Sequence, residues 1–133
     1  TYSLLSDGEC NEGSIWEAAM LAAGQKVNKL TAIIDYNKWQ ATGRSQEVMA
    51  LEPLTDKWKS FGWDVQEIDG HDFEEIGNSF LNAKNQDKPS LIIAHTVKGK
   101  GVSFIENNND WHHNVLTKKN YDIAINELNK NEA

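Results

Sequence analysis

A single cysteine, Cys10, leaves this chain without an internal disulfide framework, which fits a reducing cytoplasm. Basic residues are also short: 13 Lys and Arg stand against 20 Asp and Glu, for a net charge of −7. That balance excludes the basic face a nucleic-acid partner requires, and an acidic surface of this kind serves solubility. No apolar run approaches the ~20 residues of a membrane-spanning helix, so no membrane partner is expected, and no stretch reads as a secretory signal. There is no internal repeat and no linker long enough to divide the chain. What remains is an ordinary composition, 39% hydrophobic and 25% charged over 133 residues. That is enough for one domain, or part of one, with a buried core. The chain opens at Thr1, without Met and almost directly inside a strand pattern, so we expect a piece of a longer protein with an upstream part.

Strand and helix patterns alternate. Tyr2 to Leu5 reads as a short buried strand, and Leu30 to Asp35 as a second, continuously apolar as parallel strands are. Between them Ser14 and Glu17 have the spacing of a capping box. Ile15, Ala18, Ala19 and Ala22 follow at helical spacing, predicting a helix to about Gly24 with a face of small residues. Asn37 to Leu51 reads as a loop with Gly43 as a turn residue. Pro53 opens a helix whose apolar stripe is Leu54, Trp58 and Phe61, and Gly62 ends it. Trp63 to Ile68 reads as a strand. Asp72 with Glu75 repeats the capping signature ahead of a helix carried by Ile76, Phe80 and Ala83. After Pro89 comes the strand Ser90 to His95, then the basic glycine-rich loop Val97 to Val102, then the polar loop Asn107 to Asp110. A last helix begins at Thr117 with Tyr121, Ala124, Ile125 and Leu128 on one face. Repeated strand–helix units predict an α/β fold, a three-layer, doubly wound parallel sheet.

Asp7 ends the first apolar run, and Asn37, thirty positions later, ends the second. A carboxylate and an amide oxygen are thereby set at the carboxyl ends of two strands, where open parallel sheets place ligands. Two hard oxygen donors there suit a magnesium ion, which shares its octahedral shell with phosphate oxygens; the main-chain carbonyl of Trp39 stands close enough in sequence to join them. On spacing alone the pair reads equally as turn caps, the commoner role of Asp and Asn. Lys98 and Lys100, set among glycines, could attract phosphate, but the Gly-Lys-Ser/Thr ending of a Walker loop is absent, and a solvated basic loop is the simpler reading. Cys10 has no His or Asp at an activating spacing and reads as a packing residue. His71 and His95 read as structural, and the five Trp residues as core or interface mass, with Trp39 and Trp111 flanking the proposed site.

Taken together, Ser6-Asp7-Gly8-Glu9, Asn11-Glu12-Gly13-Ser14-Ile15-Trp16-Glu17-Ala18 and Ile34-Asp35-Tyr36-Asn37 resemble the thiamin diphosphate motif of the transketolase family, Gly-Asp-Gly followed at a distance by Asn. The similarity continues through Lys57 to Trp63, Ile68-Asp69-Gly70-His71-Asp72, Ala94 to Gly101 and Trp111-His112, and is greatest to the separately encoded amino-terminal subunits of split transketolases. The resemblance implies a partial thiamin-diphosphate-binding fold over residues 1–133, with magnesium held by Asp7, Asn37 and the carbonyl of Trp39. Gly8 would let the backbone approach the diphosphate. His112 would face the diphosphate and the donor sugar, where an imidazole can donate a hydrogen bond or move a proton. Ile15 and the small helix face would lie near a dimer interface. Glu12 and Glu17 match two interface glutamates that couple paired active sites; locally, Glu17 also completes the capping box and Glu12 suits a helix start. Two departures are expected to disturb the backbone: Ser6 in place of the first Gly of the triplet, and His113 where many relatives have Gly.

The implied activity is that of a cytoplasmic transketolase of carbohydrate metabolism and the pentose phosphate pathway, moving a two-carbon glycolaldehyde unit from a ketose phosphate to an aldose phosphate. The ring-activating glutamate belongs to a partner subunit or pyrimidine-binding domain that this chain lacks, so the segment is not expected to act alone, and the full enzyme is expected to be a homodimer or heterotetramer. Two other readings stay open: the alpha part of a thiamin-dependent 2-oxo-acid dehydrogenase, which shares the Asp-Gly and Asn signature, and a non-catalytic cofactor-fold fragment serving in assembly. Asp69 to Asp72 and Trp111-His112 favour transketolase over the first, and Glu12-Gly13 fits a deoxyxylulose-phosphate synthase poorly.

Overall fold

The computed structural model describes residues 1–131. Along the chain run β1 (Tyr2–Ser6), α1 (Gly13–Gly24), β2 (Thr31–Tyr36), β3 (Trp39–Gln40), β4 (Gly43–Arg44), α2 (Ser45–Val48), α3 (Leu54–Ser60), β5 (Asp64–Asp69), α4 (Phe73–Lys84), β6 (Ser90–His95) and α5 (Lys118–Asn131). Four strands form one parallel sheet in the order β1-β2-β6-β5. The path enters β2 from α1 and later returns from the sheet edge at β5, through α4, to insert β6 beside β2.

The two central strands are apolar because both of their faces are covered: Ile34, Leu91, Ile92 and Ile93 are almost fully buried. Strand alternation then divides the side chains. Ala32, Ile34, Tyr36, Leu91 and Ile93 join Ala19 and Ala22 of α1, Leu54 and Trp58 of α3, and Trp63 in one core cluster. Tryptophans supply much of its mass. Trp58 lies with its ring 5.5 Å from Trp16 and 4.9 Å from Trp63, the latter edge-on. The indole of Trp63 donates to the carbonyl of Ala19 at 2.9 Å, fixing α1 to the sheet. On the opposite face, α4 covers β5 and β6, and Ile68, Ile76, Phe80, Ile92 and Ala94 line a shared apolar cavity. The result is the expected α/β arrangement of a parallel sheet between helices.

Asp72 caps α4 as its spacing predicts, accepting from the main-chain N–H groups of Glu74 at 2.8 Å and Glu75 at 3.0 Å. Glu75 completes the turn by accepting from the Asp69 N–H at 2.8 Å. Asp72→Ala is expected to lower stability by about 1 kcal/mol, measured as a lower urea midpoint at unchanged slope.

Three expectations need correction. The capping box at Ser14 and Glu17 does not form: α1 starts at Gly13 with the extended Glu12 before it, because a 3-10 turn over Gly8–Asn11 brings the chain into the helix sooner. Ser14 Oγ instead donates to Glu12 Oε2 at 3.4 Å. A reciprocal pair forms upstream, where Ser6 Oγ accepts from Glu9 N at 3.2 Å and Glu9 Oε2 accepts from Ser6 N at 2.7 Å. Ser6 is therefore built into the turn rather than crowding it, and it has no left-handed backbone that would require glycine. His113 likewise adopts an ordinary φ of −122°. The stretch expected as a loop after Asn37 contains the β3–β4 hairpin and the helical turn α2. The apolar face of α5, read from the sequence as one stripe, is partly buried: Ala124 is covered, while Tyr121, Ile125 and Leu128 are 50%, 38% and 40% exposed. A carboxylate anchors that helix, with Glu127 accepting from both the N–H and the hydroxyl of Ser103 at 2.7 Å.

Candidate functional site

Asp7 follows β1 and Asn37 follows β2, and the parallel pairing sets Ser6 opposite Asp35, so both residues emerge at the same end of the sheet. Asp7 is fully buried. Its Oδ2 accepts from the main-chain N–H of Lys38 at 2.9 Å and from the hydroxyl of Ser45 at 2.7 Å. Lys38 can present its N–H there because it adopts a left-handed φ of 68°. The Asn37–Trp39 segment is thereby fastened against Asp7. Burial pushes the Asp7 carboxyl above its ordinary range, more than the Ser45 hydroxyl and the main-chain N–H groups of Gly8 and Lys38 draw it down.

Asn37 is oriented from two sides. Its amide nitrogen donates to Asp35 Oδ2 at 3.1 Å, and its Oδ1 accepts from the main-chain N–H of Trp39 at 2.9 Å. Asp35 in turn receives the hydroxyl of Thr96, just beyond β6. The carbonyl-type oxygen of Asn37 is thus defined, with a second lone pair to offer. Ser45 and Asp35 are missed by sequence reasoning. Ser45 lies in a stretch with no periodicity, while Asp35 left one sign, an acid inside an apolar strand.

His112 ends a 3-10 turn over Asn109–His112, and its Nδ1 lies 3.2 Å from the ammonium of Lys98. Slight burial, then the charge of Lys98 and then His113, hold His112 below the usual imidazole range. Lys98 thus meets His112 in an exposed loop, a contact its sequence setting did not reveal. Lys100 is exposed. Gly8 has its own role: a Cβ there would stand 3.3 Å from Gln40 Cγ, so the bare backbone leaves the hairpin room to approach. Glu12 and Glu17 are exposed around the start of α1 and take no part in the contacts of Asp7 or Asn37. Cys10 is buried with its thiol pushed up to about 12, chiefly by burial, which agrees with a packing role. Trp111 packs edge-on against Phe104 at 5.2 Å. His71 accepts from the main-chain N–H of Val97, and His95 pairs with Glu67, each at 2.8 Å.

The donor set fits a hard cation. Asp7 Oδ1 is buried without a hydrogen-bond partner among the described residues, and a buried carboxylate oxygen left this way is costly unless a cation meets it. Carboxylate, amide and main-chain oxygens are the ligands magnesium takes when it shares a phosphate.

Comparison with known proteins gives a consistent result. The family described as transketolase, thiamine diphosphate binding domain, matches residues 1–131. The 6-deoxy-6-sulfo-D-fructose transketolase subunit SqwG of Clostridium sp. (strain MSTE9) is 49% identical over 133 residues, covering 99% of this chain and 48% of that protein. An apulose-4-phosphate transketolase subunit of Phocaeicola vulgatus is 47% identical over 131 residues, covering 98% of this chain and 47% of that protein. This chain thus spans about half the length of these curated relatives. Among solved structures, the transketolase of Campylobacter jejuni superposes with a TM-score of 0.90 at 31% identity, covering 96% of this chain and 20% of that one.

Proposed function

Because the chain belongs to the transketolase family, matching its thiamine diphosphate-binding domain over residues 1–131, we propose that it supplies the magnesium and diphosphate half of a ketol-transferring active site. The observation that carries this reading is the buried, unpartnered Oδ1 of Asp7, fastened through Lys38 to the loop bearing Asn37 and Trp39. Asp7, Asn37 and the carbonyl of Trp39 would hold magnesium. When bound, thiamin diphosphate supplies the carbanion chemistry by which a two-carbon unit leaves a ketose and joins an aldose. The chain's own part is to bind and orient. Gly8 admits the main chain to the diphosphate, and Lys98 and His112 donate toward its oxygens. His112, held below its usual range, is a largely neutral imidazole near neutral pH, able to donate a hydrogen bond or relay a proton at the donor sugar.

The activity needs a second polypeptide region, a pyrimidine-binding domain or partner subunit, which we place against the exposed Glu12 and Glu17 in a homodimer or heterotetramer. The relatives named for a sulfofructose and for apulose 4-phosphate support a donor class of ketoses ending in an anionic group, which includes the ketose phosphates of the pentose phosphate pathway. The free thiol of Cys10 suits a cytoplasmic setting.

Calorimetric titration with thiamin diphosphate, with and without magnesium and in the presence of the partner chain, tests the reading. Saturable binding that requires magnesium is expected. No binding under any of these conditions would sink it.

A further inference from the structure

Two loops meet above the carboxyl ends of β2 and β6: the β3–β4 hairpin, and the segment from Val97 to His112. The indole of Trp39 donates to Asn107 Oδ1 at 2.9 Å across 68 residues of chain, and the Asn109 amide donates to the Ala41 carbonyl at 3.3 Å. The Arg44 guanidinium lies 3.7 Å from the centre of the Trp39 ring, a stacking distance that fixes the indole plane. Asn107 adopts a left-handed φ of 55°, a conformation Asn tolerates better than most residues. Its main-chain N–H donates to the Lys98 carbonyl at 2.8 Å, and the Lys98 ammonium reaches His112. A continuous set of contacts therefore runs from the residue two beyond Asn37 to Lys98 and His112 in the far loop.

We propose that the Trp39–Asn107 hydrogen bond is a positioning clamp that holds Lys98 and His112 across from Asp7 and Asn37, so that a metal-bound diphosphate meets both sets of groups already in place. The inference rests on the cofactor reading above. Its physical basis is preorganisation. The segment from Val97 to Asn108 has turns but no regular helix or strand, and a loop ordered beforehand is not ordered at the cost of binding. Trp39 then acts twice, through its carbonyl at the cation and through its indole at the clamp.

The test uses Asn107→Gly, which keeps the left-handed backbone and removes only the acceptor, and Trp39→Phe, which keeps the ring under Arg44 and the main-chain carbonyl. Affinity for inorganic diphosphate at saturating magnesium is measured in the complete protein with its partner chain, alongside amide hydrogen exchange and the indole N–H resonance of Trp39. Each variant is expected to bind about 10-fold more weakly, in the range of supporting residues around a metal, and the double variant no more weakly than the worse single one. Exchange should rise across residues 97–112 but not in α1 or α4, and Asn107→Gly should shift the Trp39 indole resonance. Unchanged diphosphate affinity in the variants, or exchange rising equally throughout the fold, overturns the clamp. Failure of the parent protein itself to bind diphosphate with magnesium overturns the cofactor reading, and the clamp with it.

Discussion

Asp7→Ala is expected to abolish magnesium-dependent binding of thiamin diphosphate, with a loss of at least about 100-fold, since even supporting residues around a metal cost 10–100-fold when removed. This substitution also strips the partner from the Lys38 N–H and the Ser45 hydroxyl, so it loosens the loop as well. Asp7→Asn separates the two effects. An amide oxygen can still accept from Lys38 and Ser45, while the charge is gone. The sign follows from burial. Because the folded carboxyl is held above its ordinary range, its favourable contribution belongs to the protonated form and is lost as pH rises through that raised value. Asp7→Asn removes the cost of burying the charged form, and it is expected to leave the melting temperature unchanged or higher while binding disappears. A melting temperature that falls in step with binding would mean that Asp7 serves the fold alone.

Trp63→Ala is expected to destabilise the protein by about 3–5 kcal/mol, a large share of the ~5–15 kcal/mol that holds a domain folded. Trp63 is only 3% exposed, packs edge-on against Trp58 and hydrogen-bonds to α1. Its removal leaves a cavity between helix and sheet that rigid neighbours fill poorly. Trp63→Phe, which keeps most of the apolar body and loses the N–H, is expected to cost about 1–3 kcal/mol. Urea unfolding followed by circular dichroism measures both. An Ala variant within about 1 kcal/mol of the parent, the spread of ordinary surface changes and a little more, would contradict the place of this indole in the core.

These effects were legible in the sequence to different depths. β6 spans Ser90–His95, the bounds read from the sequence, because a central parallel strand is buried on both faces and its apolar centre says so. The α4 cap was equally readable, since Asp72 settles it by chemistry within three residues. The start of α1 was not. Ser6 with Glu9 and Ser14 with Glu17 share one spacing, and the route by which the chain leaves β1 decides which pair closes. Strands of two residues such as β3 and β4 lie below any period a sequence can display. Asp7, Asn37 and Trp39 were singled out through a motif, and Asp7 accepts from the N–H of Lys38, which lies between the other two. Asp35 and Thr96 act on them through the register of β1, β2 and β6, in which Asp35 lies beside both Ser6 and Ala94, while Ser45 reaches Asp7 from the start of α2. That alignment joins residues far apart in the chain, and no local pattern encodes it.

β1 has a consequence beyond its place in the sheet order. Among the described residues it pairs on one side only, with β2, and Tyr2 and Leu4 stand 67% and 73% exposed. An open edge of this kind is a template for another strand and a source of self-association. Fraying would start there and travel directly into Asp7, which the Lys38 and Ser45 hydrogen bonds hold from the other side. Any strand or helix that closed this edge would therefore tighten the buried carboxylate of Asp7 without touching it.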